Sequence, residues 1–162
     1  MSADLYAPHL LVIPEDDANR HIVNGFMKHM SIKFRQIQIE AVANGWSKAL
    51  KVFSETHIRS MRKYAQRYVL ILIDSDGRKD RIARAKRGIP PDLADRVFIM
   101  GSLTTPEKLA ATLGMSREQI GEAIANECRD RRCEIWSNAL LAHNLPEWRR
   151  MQDSVCPALW DV

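Results

Sequence analysis

The sequence predicts an α/β protein in which a mostly parallel sheet of about four strands carries helices on both faces. Short apolar runs alternate with amphipathic segments in the order β-α-β-α-β-α-β, which favours parallel strands joined by crossover helices. The apolar run "YVLILI", residues 68–73, is continuous rather than alternating, as is typical of a central strand buried on both faces. Residues after 102 have helical patterning, so C-terminal helices are expected to pack on the sheet.

The first part of the chain supplies two of these strands. "HLLVIP" (9–14) is an apolar run ended by a proline and predicts a buried strand. Acidic residues followed by apolar residues at a spacing of four predict a helix over about 17–29. "KFRQIQIEAV" alternates polar and apolar residues and predicts a half-exposed strand over 33–42. Residues 46–66 carry an apolar stripe at spacings of three and four, which predicts a long helix.

After the continuous apolar strand, a short basic helix ending at Gly88 and a strand over 97–102 are expected. "TPEKLAATLG", "SREQIGEAIANECRDR" and "EIWSNALLAHN" then predict helices. The chain has no repeated or linker-like segment, so it is expected to form a single domain, 1–162. Its α/β core would span 9–102 and its helical extension 103–155.

Composition is that of an ordinary globular protein, with 46% apolar and 27% charged residues. No apolar run is long enough to cross a bilayer, so no membrane partner is expected. The N-terminal segment has no basic region before its apolar run, which does not fit a secretory signal, and a cytoplasmic location is expected. The three cysteines show no CxxC spacing and are expected to be reduced, structural thiols.

Basic charge is concentrated between residues 57 and 88, which hold ten Lys and Arg against three Asp. One interpretation is a solvated helix face. The other is a basic face that attracts a polyanion toward a nearby site. On the second interpretation, the residues expected to bind nucleic acid are Arg78, Lys79, Arg81, Arg84, Lys86 and Arg87.

Acidic residues follow two of the predicted strands. Glu15 comes directly after the strand 9–14, and Asp74 and Asp76 follow the strand 68–73. If these strands are neighbours, their carboxyl ends meet at one edge of the sheet, where ligands bind in such folds. Carboxylates held close together repel unless a cation lies among them, and their oxygens are ligands that Mg²⁺ and Mn²⁺ prefer. The pattern therefore favours a divalent metal site suited to phosphoryl chemistry.

The second acidic stretch also suits a turn. In "DSDG", aspartate favours the first position of a turn and Gly77 accepts a positive φ. Taken alone, the motif is explained at least as well by turn chemistry as by metal binding. The joint pattern of an acid after the first strand and an Asp-x-Asp pair after the third is what favours a site.

That joint pattern resembles the Toprim domain, which primases, topoisomerases, small ribonucleases and overcoming-lysogenization-defect nucleases share. In that family a glutamate closes the first strand, an Asp-x-Asp pair closes the third, and both serve metal-dependent chemistry. The resemblance covers residues 9–102, where Glu15 in "VIPEDDANR" matches the glutamate and Asp74 and Asp76 in "LILIDSDG" match the pair. Small free-standing bacterial Toprim-like proteins also carry an acid after the fourth strand, and Glu107 is similar in position.

The resemblance implies a metal-dependent nuclease or a related phosphotransferase. Its metal ligands would be Glu15, Asp74, Asp76 and Glu107, with Mg²⁺ or Mn²⁺ as the cofactor. Its catalytic residues would be Glu15, Asp74, Asp76 and Lys79, with the lysine stabilising the charge that develops on the phosphate. Bacterial genome maintenance or defence against phage is the setting that the resemblance implies.

The sequence departs from the family pattern at one point. The family commonly has a glycine after the first glutamate, whereas Asp16 follows Glu15 here, after Pro14. Asp17 or Asn19 could take the place of the additional acid that the nuclease branch carries.

Two other functions stay open. A Toprim-like scaffold without catalysis could bind nucleic acid or a protein partner through the basic face 57–88, and a homodimer also stays open. Alternatively, residues 106–127 could form a DNA-binding helix-turn-helix, with Gly114 in the turn and Ser116 as the N-cap of the second helix. That second helix carries one Arg against three Glu, a poor surface for phosphates.

Two histidines have both a functional and a structural interpretation. His143 could serve as a general acid or base, although a helix that ends at His143 and is capped by Asn144 explains the same residues. His57 lies on the apolar stripe of a predicted helix and is expected to be a semi-buried histidine with its hydrogen bonds satisfied.

Overall fold

The computed structural model describes residues 3–78 and 80–161 and has the α/β fold that the sequence predicts. Four parallel strands form one sheet in the order β2-β1-β3-β4. The strands are β1 (His9–Pro14), β2 (Ile37–Ile39), β3 (Arg67–Leu72) and β4 (Val97–Met100).

Helices connect the strands and continue after the last one. They are α1 (Asp17–Met27), α2 (Trp46–Val52), α3 (Ile58–Lys63), α4 (Asp80–Arg87), α5 (Pro106–Leu113), α6 (Arg117–Asp130) and α7 (Leu145–Asp153). A π-helical turn, Phe53–His57, joins α2 to α3. Within residues 3–78 and 80–161, no helix has both the length and the apolar character needed to cross a membrane.

The sheet is buried on both faces, which explains its continuous apolar runs. In β1, Leu10 and Val12 face a core formed with α1, α6 and α7, whereas Leu11 and Ile13 face a core formed with α2, α3 and α4. Burying one such aliphatic side chain contributes about 1.5–3 kcal/mol. The interpretation of 68–73 as a central strand is confirmed, since β3 has a strand on each side.

Helices α1 and α6 approach each other through glycines. A Cβ atom added at Gly25 would overlap the carbonyl oxygen of Glu118, and one at Gly121 would overlap the carbonyl oxygen of Ile22. The two backbones are therefore closer than any other residue at these positions would permit. This contact fixes α1, and α1 begins at the candidate site.

Strand β4 lies at the edge of the sheet, and side chains from the C-terminal part complete its hydrogen bonds. Asn144 accepts from the N–H of Gly101 at 3.1 Å and donates to its carbonyl at 2.9 Å. Glu147 accepts from the N–H of Ile99 at 3.0 Å. These bonds cover an edge that would otherwise be open to pairing with another chain.

The expected helix ending at His143 and Asn144 is wrong. Two short 3₁₀ turns, Ile135–Ser137 and Ala142–Asn144, take its place. Asn144 is not in a left-handed cap, because its amide is committed to the backbone of Gly101. The apolar period of a 3₁₀ segment and that of a helix are too similar to separate in so short a stretch.

Several boundaries also differ from prediction. The expected strand 33–42 shortens to Ile37–Ile39, because Phe34–Gln36 form a 3₁₀ turn. The long helix expected over 46–66 ends at Lys63. The expected strand 97–102 ends at Met100, since the backbone of Gly101 and Ser102 bonds to side chains instead.

The expectation that the cysteines are reduced is wrong for two of the three. Cys128 in α6 and Cys156 in the C-terminal segment form a disulfide, with Cα atoms 6.0 Å apart, and both residues are buried. Cys133 is an exposed thiol. The pair lies far apart in sequence and without a motif, so only the packing of the C-terminal segment on α6 brings it together.

The glycine contact between α1 and α6 predicts a specific loss of stability. Gly121→Ala should lower the free energy of unfolding by about 1–3 kcal/mol, because its methyl group forces α6 away from α1. Gly88→Ala is the matched control, since its Cβ would meet Ala85 at an ordinary 3.5 Å. Urea unfolding of both variants measures the difference, and equal stabilities would contradict the close-packing account.

Candidate functional site

The carboxyl ends of β1 and β3 meet at one edge of the sheet. Pro14 pairs with Leu72 across the two parallel strands, and the N–H of Glu15 donates to the carbonyl of Leu72 at 3.0 Å. The prediction that strands 9–14 and 68–73 are neighbours is therefore confirmed. We call the edge that carries Glu15, Asp74 and Asp76 the acidic edge.

Glu15 and Asp74 are in direct contact. The backbone N–H of Asp74 donates to Oε2 of Glu15 at 2.8 Å. Burial raises the pKa of Glu15, the hydrogen bond from Asp74 opposes that rise, and the charge of Asp16 adds to it. The carbonyl of Glu15 accepts from Asn44 and Gly45, so the loop before α2 also fixes this residue.

Asp74 is the most perturbed acid at the acidic edge. Its exposed fraction is 3%, its Oδ2 accepts from the Asn19 amide at 2.9 Å, and its Oδ1 accepts from the N–H of Ser102 at 3.1 Å. Desolvation by burial raises its pKa to about 7, only partly opposed by these hydrogen bonds, and the charges of Glu15 and Asp16 raise it further. At neutral pH this carboxyl therefore exists in both its protonated and its ionised form.

Asn19 is the site residue that sequence reasoning identified least well. Asp16 caps α1 by accepting from the N–H of Asn19 at 2.9 Å, and the Asn19 side chain bridges Asp16 to Asp74. The signal for it is an N-cap spacing, with Asp16 three residues before Asn19. Asp17, the other candidate for the additional acid, is exposed and pairs with Arg20 at 3.1 Å.

Asp76 lies in a turn at the open side of the acidic edge. Asp76 and Gly77 both have positive φ, 49° and 76°, and the N–H of Arg78 donates to the carbonyl of Ser75 at 2.7 Å. The turn interpretation of "DSDG" is therefore confirmed. The turn leaves the Asp76 side chain exposed, where its carboxylate is accessible to a metal ion.

Arg81 ties the turn to α4. Its Nη1 donates to the carbonyl of Asp74 at 2.8 Å and to Oδ2 of Asp76 at 3.1 Å. Its guanidinium lies 5.1 Å from the ring centroid of Trp46, within the range of a cation–π contact. Arg81 therefore partly neutralises Asp76, whereas no cation among the described residues forms an ion pair with the carboxylate of Asp74.

The other predicted site residues form no hydrogen bond or ion pair with Glu15, Asp74 or Asp76 in the described part of the chain. Glu107 is in the first turn of α5, and its carboxylate pairs with Arg117 at 3.1 Å, with 61% of its side chain exposed. Lys79 lies outside the described residues. The basic residues that are exposed around α4 are Arg78, Arg84, Lys86 and Arg87.

Not every described basic residue of the segment 57–88 is exposed. Arg67 is buried, where it donates to Nε2 of His9 at 3.0 Å and to Ser60 at 2.9 Å. His57 is also buried, but neither ring nitrogen has a hydrogen-bond partner among the described residues, so the expectation that its bonds are satisfied is wrong. Burial lowers the pKa of His57, and the nearby charge of Glu40 opposes that change.

The side-chain atoms of the acidic edge that could bind a metal ion are all carboxylate oxygens, the type of ligand that Mg²⁺ and Mn²⁺ prefer. Within the described residues, Oε1 of Glu15 and Oδ1 of Asp76 accept no hydrogen bond and are free to act as ligands. The described part of the chain contains no group of three or more His, Cys, Asp or Glu side chains already arranged to hold a metal ion.

Compared with known proteins, the chain matches no family model, no curated protein and no solved structure. The resemblance to the Toprim domain therefore rests on the motifs alone and stays a prediction.

The raised pKa of Asp74 predicts how stability changes with pH. Because folded Asp74 binds a proton more tightly than the unfolded chain does, its contribution to stability is lost as the pH rises through about 7. The difference between the two pKa values corresponds to roughly 4 kcal/mol. Asp74→Asn should therefore gain stability relative to the parent protein as the pH rises from about 5 to 8, measured by urea unfolding in EDTA.

Asp92→Asn is the matched control, since Asp92 is exposed and its pKa is lowered by Arg62. It should show no such gain. Parallel stability curves for the parent protein and Asp74→Asn would show that Asp74 does not titrate as described.

Proposed function

We propose that the protein binds Mg²⁺ or Mn²⁺ at the acidic edge and performs phosphodiester chemistry on nucleic acid, as a Toprim-like nuclease or related phosphotransferase. The observation that carries the proposal is the burial of the Asp74 carboxyl. Ionising this carboxyl costs free energy, and it forms no ion pair with a cation of the described residues. A carboxylate that reduces fold stability at neutral pH is typical of a functional site.

The roles of the acids follow from their surroundings. Glu15 and Asp74 would hold the ion, because they are adjacent and fixed by hydrogen bonds. Asp76 would contribute the oxygen that Arg81 leaves free. When bound, a divalent ion polarises phosphoryl oxygens and makes water a better nucleophile. Asp74 must lose its proton to bind the ion, so its affinity for metal should rise with pH.

The neutral groups around Asp74 orient it. The Asn19 amide and the N–H of Ser102 each hold one carboxylate oxygen, so the orientation of the ligand is set before any ion arrives. Outer hydrogen bonds of this kind raise metal affinity by about 10–100-fold in characterised sites. Glu107 would join the site only by leaving Arg117.

Basic residues next to the acidic edge support a polyanionic substrate. Arg78, Arg84, Lys86 and Arg87 are exposed on and before α4, and none forms an ion pair with another described residue. Arg81 lies between them and the acidic edge, where it would stabilise charge that develops on a phosphate. Unpaired cations beside a carboxylate site are what a metal-dependent enzyme acting on nucleic acid requires.

The same residues support a second candidate, a Toprim-like scaffold that binds nucleic acid without cleaving it. Arg81 already pairs with Asp76 and donates to the backbone of the turn, so the conformation of this turn is supported without a metal. The helix-turn-helix hypothesis has less support from the charges of these helices. Helices α5 and α6 occupy the expected positions, but α6 packs on α1 and exposes Glu122, and Arg117 is paired with Glu107.

Cleavage assays test the first candidate. Purified protein should cleave single-stranded DNA or RNA in Mg²⁺ or Mn²⁺ and not in EDTA. Asp74→Asn should lower the rate by at least about 100-fold, since loss of a metal ligand removes several kcal/mol of transition-state stabilisation. Asp92→Asn, which removes an exposed carboxylate beside Arg62, should leave the rate unchanged.

Two results would contradict the first candidate. One is the absence of cleavage with either ion, together with binding of the same strands that Asp74→Asn leaves intact, which favours the scaffold. The other is cleavage that Asp74→Asn and Asp92→Asn reduce equally.

A further inference from the structure

A groove of about 470 Å³ opens beside the turn that carries Asp76. Helix α4 forms one wall, and the loop after β4 and the segment before α7 form the other. The residues that line it are Ser75, Ile82, Ala83, Lys86, Leu103, Ala139 and His143. Its volume is within the range of about 300–1,000 Å³ that is typical of small-ligand sites.

The groove adjoins the acidic edge through Ser75. This residue lies between Asp74 and Asp76, and its hydroxyl donates to the carbonyl of Leu103 at 2.9 Å. The N–H of Gly77 donates to the same carbonyl at 2.6 Å. The turn and the far wall are therefore joined by hydrogen bonds, and a ligand in the groove would lie next to the candidate metal ligands.

The chemistry of the walls is apolar with a single cation. Ile82, Ala83, Leu103 and Ala139 present aliphatic surface. Among the described lining residues, Lys86 is the only charged one, and it forms no ion pair with another described residue. No carboxylate of the described residues lines the groove. The groove therefore suits a ligand with a flat apolar body and one anionic group.

His143 closes the groove near Lys86. Burial lowers the pKa of His143, the backbone of Gly101 opposes that change, and the positive charge of Lys86 adds to it. The ammonium of Lys86 is close enough to influence the imidazole. An anion bound at Lys86 would offset that charge and raise the pKa of His143. A change in this pKa, followed by NMR, would therefore report binding in the groove.

We propose that this groove binds one unpaired nucleotide of a nucleic-acid strand, with the base against the aliphatic walls and its phosphate at Lys86. The inference rests on the proposed function, because it assigns the substrate of the acidic edge as single-stranded or as a frayed strand end. A groove of this size encloses one nucleotide and not a duplex, so a base must leave its stack to enter. The neighbouring phosphate of the same strand would then lie toward Asp76.

Binding of adenosine 5′-monophosphate to the full chain in EDTA tests the inference without any metal. The parent protein should bind the nucleotide saturably, with shifted amide resonances at Leu103 and Ala139 and a raised pKa for His143. Lys86→Gln should weaken binding about tenfold, since it removes a charge-assisted contact. Ala83→Trp should abolish binding, because its side chain would fill the groove. Lys51→Gln, which removes an exposed lysine on α2, should have no effect.

Circular dichroism shows whether each variant is folded. If Ala83→Trp does not fold, the resonance shifts in the parent protein still test where the nucleotide binds. No saturable binding, or shifts that lie outside the groove, would overturn the inference. Inorganic phosphate binding as tightly as the nucleotide would also overturn it, because the apolar walls would then contribute nothing.

The inference and the proposed function can fail separately. If Asp74→Asn still binds the nucleotide and the parent protein cleaves nothing with either ion, the nucleotide site would be supported and the nuclease proposal contradicted. If Ala83→Trp leaves metal-dependent cleavage unchanged, the nuclease proposal would be supported and the nucleotide site in the groove contradicted.

Discussion

Burial of the Asp74 carboxyl at the end of β3 is the constraint on which the rest of the site depends. Parallel pairing of β1 with β3 brings Glu15 alongside, and Glu15 uses one oxygen to bind the backbone of Asp74 rather than a cation. The two groups that satisfy Asp74, Asn19 and the N–H of Ser102, are neutral. The fold therefore buries an acid among neutral hydrogen-bond donors and other acids, where a proton or an added cation would offset the cost of its charge.

Contacts elsewhere in the molecule position the two groups that bind Asp74. The glycine contact between α1 and α6 sets the position of α1, whose first turn supplies Asn19. Asn144 holds the backbone of Gly101, directly before the N–H that binds Asp74. Both contacts are made by the C-terminal helical part, so this part belongs to the site as much as the α/β core does. A protein reduced to residues 9–102 would lack both supports.

The sequence was sufficient for the architecture and for the meeting of Glu15 with Asp74. Continuous apolar runs predict strands buried on both faces, and the ends of neighbouring parallel strands must meet, so only the strand order was needed to place the two acids together. It was not sufficient for the contact of Asn19 with Asp74 or for the link between Cys128 and Cys156. Each of these depends on contacts between distant segments, and such contacts leave no periodicity or local motif in the chain. The same is true of Asn144 and Glu147, which complete the edge of β4 from a segment with ambiguous local patterning.

We propose that Asp74 exchanges a proton for a divalent ion. The most direct test is to follow the ¹³Cγ resonance of Asp74 by NMR as a function of pH, without metal and with Mg²⁺. The account predicts a midpoint of about 7 in the metal-free protein. It also predicts that Mg²⁺ lowers the midpoint by at least about one pH unit, because metal and proton compete for the same oxygens. A metal-free midpoint near the ordinary value of 3.8, or one that Mg²⁺ does not move, would contradict the claim.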